Sequence, residues 1–203
     1  APVVAELIKA YKKHAAAISV LTDKKYFQGS LELLNLVQKE SNLPVLQKDF
    51  IVSEKQIVSG LKNGASAVLF IARLLEQQRL NALVAFARFL NLEPVVEVNN
   101  QFEVEKALKS RTDIILINNR NLENLQIDLA TTNRLTREIP RDKLIIAASG
   151  YEKPEDLAPL LYKINTFLIG SAFMASESPD KILESFLNLS KTIRKPDLVL
   201  KNP

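Results

Sequence analysis

The stretch Ile114-Ile-Leu-Ile-Asn-Asn-Arg-Asn121 decides the fold, because an apolar run of strand length ends abruptly in amides and a guanidinium. A buried strand that stops in hydrogen-bonding groups usually presents them to a ligand. The layout recurs in Pro44-Val-Leu-Gln-Lys-Asp-Phe50, Pro94-Val-Val-Glu-Val-Asn-Asn100, Leu144-Ile-Ile-Ala-Ala-Ser-Gly150 and Thr166-Phe-Leu-Ile-Gly-Ser171. In each, polar or glycine residues stand at or near the C-terminal end of a short apolar run that leads towards a helix-like segment. Such a pattern reads as an enzyme.

Working outward, strand-like runs are expected at Val3-Leu7, Ala17-Thr22, Pro44-Lys48, Ala67-Ile71, Pro94-Val98, Ile114-Asn118, Leu144-Ala148 and Thr166-Gly170. The segments between them carry apolar residues at helical spacing, as in Leu31, Leu34 and Val37, or Leu80, Leu83, Val84 and Ala87. Alternation of this kind predicts an α/β protein with a parallel sheet and right-handed crossovers. Eight units match a closed (βα)8 TIM barrel, whereas a doubly wound open sheet would more often have about five to seven strands and a glycine-rich first turn. No G-x-G-x-x-G or P-loop pattern is present. A single domain over residues 1–203 is expected, since no Pro/Gly/Ser-rich stretch or charge block divides the chain.

A barrel of this type places its active site at the C-terminal ends of the strands, where Lys48, Glu97, Asn118, Arg120, Ser149 and Ser171 all fall. Each has a plain structural reading by itself: a surface lysine, an Asn-Asn turn, or Gly150 and Gly170 permitting unusual backbone angles. Their concentration on one face is what favours a site.

Composition narrows the chemistry. The formal charge of +4 comes from lysines scattered along helical segments, which reads as a solvated surface rather than a nucleic-acid interface and also suits a phosphorylated substrate. Cysteine is absent, which excludes disulfides, thiolate metal sites and cysteine nucleophiles. The single histidine, His14, lies on a helix-like segment from Ile8 to Ala15 and reads as a surface or core-edge residue. No apolar run reaches the roughly 18 residues of a membrane helix, and no leader pattern opens the chain, so a cytoplasmic protein without membrane partners is expected. A start at Ala1 without an initiator methionine is what trimming would leave.

Several phrases resemble indole-3-glycerol phosphate synthase. They are Ala17-Ile-Ser-Val-Leu-Thr-Asp-Lys-Lys-Tyr-Phe-Gln-Gly-Ser30, Leu43-Pro-Val-Leu-Gln-Lys-Asp-Phe-Ile51, Val96-Glu-Val-Asn99, Ile117-Asn-Asn-Arg-Asn-Leu122, Asp128-Leu-Ala-Thr-Thr132 and Phe167-Leu-Ile-Gly-Ser171. The resemblance runs in order over nearly the whole chain. It implies a lyase of tryptophan synthesis that closes the indole ring of 1-(2-carboxyphenylamino)-1-deoxyribulose 5-phosphate with loss of carbon dioxide and water, without metal or organic cofactor. It also implies that Lys48 is the general acid, Glu97 the second acid-base group, Glu6 the partner that orients Lys48, and Asn118 a hydrogen-bonding group for substrate hydroxyls or carboxylate. A lysine and two carboxylates enclosed at one mouth are expected to alter one another's proton affinities. Ser149-Gly150 and Gly170-Ser171 match the barrel phosphate cradle, Arg120 adds a charged contact, and Phe50, Phe27 and Leu122 supply apolar walls. A monomer or weak homodimer is expected.

Two departures qualify the match. The family's first strand runs into a Lys-x-Ser-Pro-Ser type loop, yet here Glu6-Leu7 is followed at once by Ile8-Lys-Ala-Tyr11, with Lys9 at the wrong spacing to substitute. Either a mobile loop is missing from this sequence or the loop is deleted. The family also has a glutamate at the position of Ala148, and usually an aliphatic residue at Tyr151. These leave open a variant, inactive or engineered barrel that binds a phosphorylated ligand or runs another reaction. A related phosphate-binding barrel such as an isomerase would use the Ser-Gly and Gly-Ser cradle without needing Lys48, Glu97 and Asn118 together.

Overall fold

Seven short parallel strands, β1 (Ile18–Leu21), β2 (Val45–Lys48), β3 (Ala67–Ile71), β4 (Glu93–Val98), β5 (Ile114–Asn118), β6 (Leu144–Ala148) and β7 (Thr166–Leu168), form one sheet in sequence order. The computed structural model describes residues 4–193 of the chain. Registers such as Leu21↔Lys48, Ile71↔Glu97 and Asn118↔Ala148 carry the strand ends to a common rim. Helices α1 (Val4–His14), α2 (Leu31–Ser41), α3 (Glu54–Lys62), α4 (Gln77–Phe89), α5 (Gln101–Lys109), α6 (Ala130–Leu135), α7 (Ser171–Met174) and α8 (Pro179–Ile193) alternate with them, giving a nearly closed barrel.

The strands are buried on both sides, which is why they read as nearly continuous apolar runs rather than as alternating ones. One face of the pleat packs outward: Ile18, Val20, Val45, Val68, Phe70, Val96, Val98, Ile115 and Ile117 share a cluster with Leu34, Val37, Leu80, Leu83 and Ala107 of the helices. The other face fills the barrel with Leu46, Leu69, Ile71, Val95, Leu116 and Ala148. By the same alternation Lys48, Glu97 and Asn118 point inward, one layer above that apolar plug. The helical stripes expected from the sequence are the buried ones, with Leu80, Leu83, Val84 and Ala87 of α4 in the core. Helix starts are fixed by caps: Ser30 Oγ accepts the Leu33 amide at 3.1 Å and Asn100 Oδ1 accepts the Glu103 amide at 3.0 Å.

The expected first strand is overturned. Val3 lies outside the described residues, and residues 4–7 belong to α1. No glycine, proline or asparagine separates Leu7 from Tyr11, so Val4, Leu7, Ile8 and Tyr11 fall on one helical stripe. Ile8 joins the cluster around β1 and α2, while Ala10 joins Phe173, Leu183 and Phe186. Helix α1 therefore covers, from outside, the seam where β1 and β7 are the two edges of the sheet. Among the described residues no helix is long and apolar enough to cross a membrane.

Candidate active site

Three strand ends converge at the rim. Lys48 Nζ, at the end of β2, lies 3.1 Å from Glu97 Oε2 on β4, and Asn118 Nδ2, at the end of β5, donates to Glu97 Oε1 at 2.8 Å. Glu97 is only 3% exposed, so both carboxylate oxygens are committed inside the protein, while Lys48 keeps 27% of its side chain open. A buried anion paired in this way holds an ammonium group in place and leaves its remaining protons free for a ligand. Asn118 is itself oriented, because its Oδ1 accepts the Arg120 amide at 3.0 Å.

The neighbouring strand ends are braced by residues that carry no role in the sequence reading. Thr22 Oγ1 donates to Asp49 Oδ2 at 2.7 Å, fixing the turn after Lys48. Asn99 Nδ2 donates to the Asn118 carbonyl at 2.7 Å, joining β4 to β5 one residue beyond the site. Asn119 turns away from the mouth: its Nδ2 donates to the Ser149 carbonyl at 3.0 Å and to Tyr151 Oη at 2.9 Å, and its Oδ1 accepts from Thr132 Oγ1 at 2.7 Å. The Tyr151 hydroxyl and Thr132 Oγ1 lie 3.4 Å apart. Burial pushes the Tyr151 phenol above its ordinary pKa, against the hydrogen bonds of Thr132 and Asn119 that pull it down. Tyr151 is thus a core residue, 3% exposed, and not a side chain that reshapes the pocket. The polar pairs at these strand ends were visible as Asn-Asn dyads in the sequence; which member faces the mouth was not.

The remaining expected residues occupy the rim unevenly. Phe50 is half-buried and packs against Phe27 with ring centroids 6.1 Å apart, and against Tyr26 edge-on at 5.6 Å. Leu122 packs against the interior plug. Arg120 sits in a hairpin over residues 119–128, bridged to Ile127, with its Nη1 on the Leu125 carbonyl at 3.2 Å. Ser149 and Gly150 take φ of 70° and 85°, and a Cβ on Gly150 would strike Ile127 and Leu129, so only glycine lets the hairpin close here. Gly170 is exposed with open space around its missing side chain, and Ser171, also exposed, begins α7. Ala148 faces inward, in register with Asn118.

Glu6 is the correction. It lies on the exposed face of α1, on the outer layer of the barrel, and the counter-charge beside Lys48 is Glu97. His14 is at the core edge, where its Nε2 is 2.8 Å from Asp180 Oδ1.

Comparison with known proteins points to one family. Residues 2–186 match the family model described as indole-3-glycerol phosphate synthase. The chain is 44% identical over 177 residues to the indole-3-glycerol phosphate synthase of Campylobacter jejuni subsp. doylei, covering 87% of this chain and 69% of that protein. It is 43% identical over 187 residues to the one from Aquifex aeolicus, covering 90% of this chain and 72% of that protein. Among solved structures, KGPDC from Streptococcus mutans superposes with a TM-score of 0.72 at 12% identity, over 92% of each chain, which speaks to the barrel fold alone.

Proposed function

The chain belongs to the indole-3-glycerol phosphate synthase family, and from that premise we propose that Lys48, Glu97 and Asn118 carry its reaction. The enzyme is a carboxy-lyase of tryptophan biosynthesis that converts 1-(2-carboxyphenylamino)-1-deoxyribulose 5-phosphate to an indole with loss of carbon dioxide and water. The observation that carries the assignment is the inward-facing trio, with Glu97 shared between the Lys48 ammonium at 3.1 Å and the Asn118 amide at 2.8 Å.

Lys48 donates a proton to the ribulose carbonyl oxygen while the carboxylate-bearing ring carbon forms the new carbon–carbon bond. The ring then expels carbon dioxide, and the electron pair left behind restores its aromaticity. Dehydration needs one proton removed next to the ring nitrogen and one delivered to the departing hydroxyl; Glu97 takes the first, and Lys48, reprotonated from solvent through the open part of its side chain, gives the second. Asn118 holds a substrate hydroxyl or carboxylate against the pair. With Glu6 on the outside, holding Lys48 charged and oriented falls to Glu97.

The substrate phosphate would bind on the other side of the mouth, at Ser149-Gly150 and Gly170-Ser171, with the open space above Gly170 as the supporting feature. Arg120 contributes charge from the hairpin. The aromatic ring packs between Phe50, Phe27 and Leu122, and the exposed Tyr26 extends that wall. Lys48→Ala tests the assignment by fluorescence of the indole product. Turnover should collapse while the protein still binds a phosphorylated analogue, and an unchanged rate would remove Lys48 from the mechanism.

A further inference from the structure

We propose that Arg73 is a positioning residue that latches the 119–128 hairpin to the mouth through Glu123, and so holds Arg120 and Leu122 over the bound substrate. This rests on the binding roles given to Arg120 and Leu122 above. Arg73 follows β3 in a single 3-10 turn, Ala72–Leu74. Lys106 of α5 braces that turn on both sides of Arg73, its Nζ donating to the Ala72 carbonyl at 2.8 Å and to the Leu75 carbonyl at 2.5 Å. Arg73 Nε then donates to Glu103 Oε1 at 3.0 Å. Glu103 is buried and already accepts the Asn99 amide at 2.7 Å and Asn100 Nδ2 at 2.8 Å. Asn99 in turn holds the Asn118 carbonyl. The guanidinium is thereby part of a rigid frame tied to the strand ends that carry Glu97 and Asn118.

Its other end reaches a different kind of structure. Arg73 Nη1 lies 2.9 Å from Glu123 Oε1 as an ion pair without an aligned hydrogen bond, and the Glu123 side chain is 72% exposed. Glu123 adjoins Leu122 and sits near the tip of a hairpin closed by the Arg120–Ile127 bridge and by backbone hydrogen bonds between Asn121 and Gln126, Asn121 and Leu125, and Asn119 and Asp128. The turn after β3, the first turn of α5 and the hairpin after β5 meet at this one guanidinium. Burial works against the Arg73 charge, but the Glu103 hydrogen bond and the charges of Glu103 and Glu123 more than offset it, so the group stays protonated at any working pH. A planar fork can serve two carboxylates at once, which a lysine cannot match. A rigid anchor joined to an exposed, imperfectly aligned partner makes a catch that holds the hairpin yet can release it.

Glu123→Gln is the cleanest test, because an exposed side chain can be changed without leaving a buried charge. Amide hydrogen exchange over residues 121–127 should quicken and KM should rise, each by about two- to five-fold, the size expected for an ion pair with one exposed partner. kcat should stay near that of the parent. The parent's KM should rise with ionic strength, and that dependence should weaken in the variant. Arg73→Lys should behave likewise, since lysine can keep Glu103 satisfied but not Glu123 as well. Lys48→Ala, measured alongside, tests the site itself. If Lys48→Ala abolishes turnover while Glu123→Gln leaves exchange, KM and salt response unchanged, the latch is overturned and the site stands.

Discussion

Glu97→Gln puts the central arrangement at risk in a calculable way. The carboxylate accepts from two nitrogen donors, Lys48 Nζ and Asn118 Nδ2, one on each oxygen. An amide of the same size has one acceptor and one donor, so in either orientation an N–H group confronts another N–H, and the negative charge beside Lys48 is gone. At the observed 3.1 Å and an effective dielectric of about 20, the gross Lys48–Glu97 attraction is about 5 kcal/mol. Most of that is offset, because the substitution also relieves the desolvation of a buried carboxylate and Lys48, with 27% of its side chain open, can rehydrate. A net loss of about 1–3 kcal/mol remains, which in a chain of this size lowers Tm by roughly 2–12 °C. The effect on turnover is larger, since acid-base catalysis by one side chain contributes about 10²–10⁴-fold. Thermal unfolding and product fluorescence on the same preparation separate the two effects. A variant that unfolds within a degree of the parent and turns over within about threefold of it would refute the placement of Glu97 at the centre of the site.

Other substitutions read out neighbouring features. Tyr151→Phe removes the hydroxyl between Asn119 and Thr132 and should cost about 1 kcal/mol by chemical denaturation, with turnover nearly kept. Because burial raises the Tyr151 pKa in the folded state, the stability it contributes is complete below the unfolded value of about 10 and is lost as pH climbs from there through the folded value. Denaturation at increasing alkaline pH should therefore show a shallower decline in Tyr151→Phe than in the parent. Gly60→Ala should destabilise by about 1–3 kcal/mol, since the new Cβ would overlap the side-chain amide of buried Gln47, and a neutral result in urea would mean that Gln47 can move aside. Ala148→Glu puts a carboxylate beside Asn118, and by resemblance to the family it should raise kcat/KM. A fall in kcat/KM would mean that the mouth is adapted to the alanine.

The barrel was legible because parallel strands buried on both faces leave an uninterrupted apolar signature, and seven of the eight expected runs, such as Ile114–Asn118 and Leu144–Ala148, are strands in place. The eighth failed for a local reason. Val4-Ala-Glu-Leu7 resembles the family's first strand, but with nothing to break the chain before Tyr11 the same apolar residues satisfy a helical stripe, and the helix took Glu6 out of the mouth with it. Lys48, Glu97 and Asn118 could be put on one face because each lies at or next to the end of its own strand, where a periodicity of two fixes which face it joins. Arg73 lies in the turn after β3, Glu103 in the first turn of α5 and Glu123 in the hairpin after β5, and no spacing in the chain connects them. Strand ends can therefore be read from local pattern, whereas contacts between the loops that cover them are set by the closure of the sheet. A latch built from such contacts can change between related sequences while Lys48 and Glu97 stay where the strands put them.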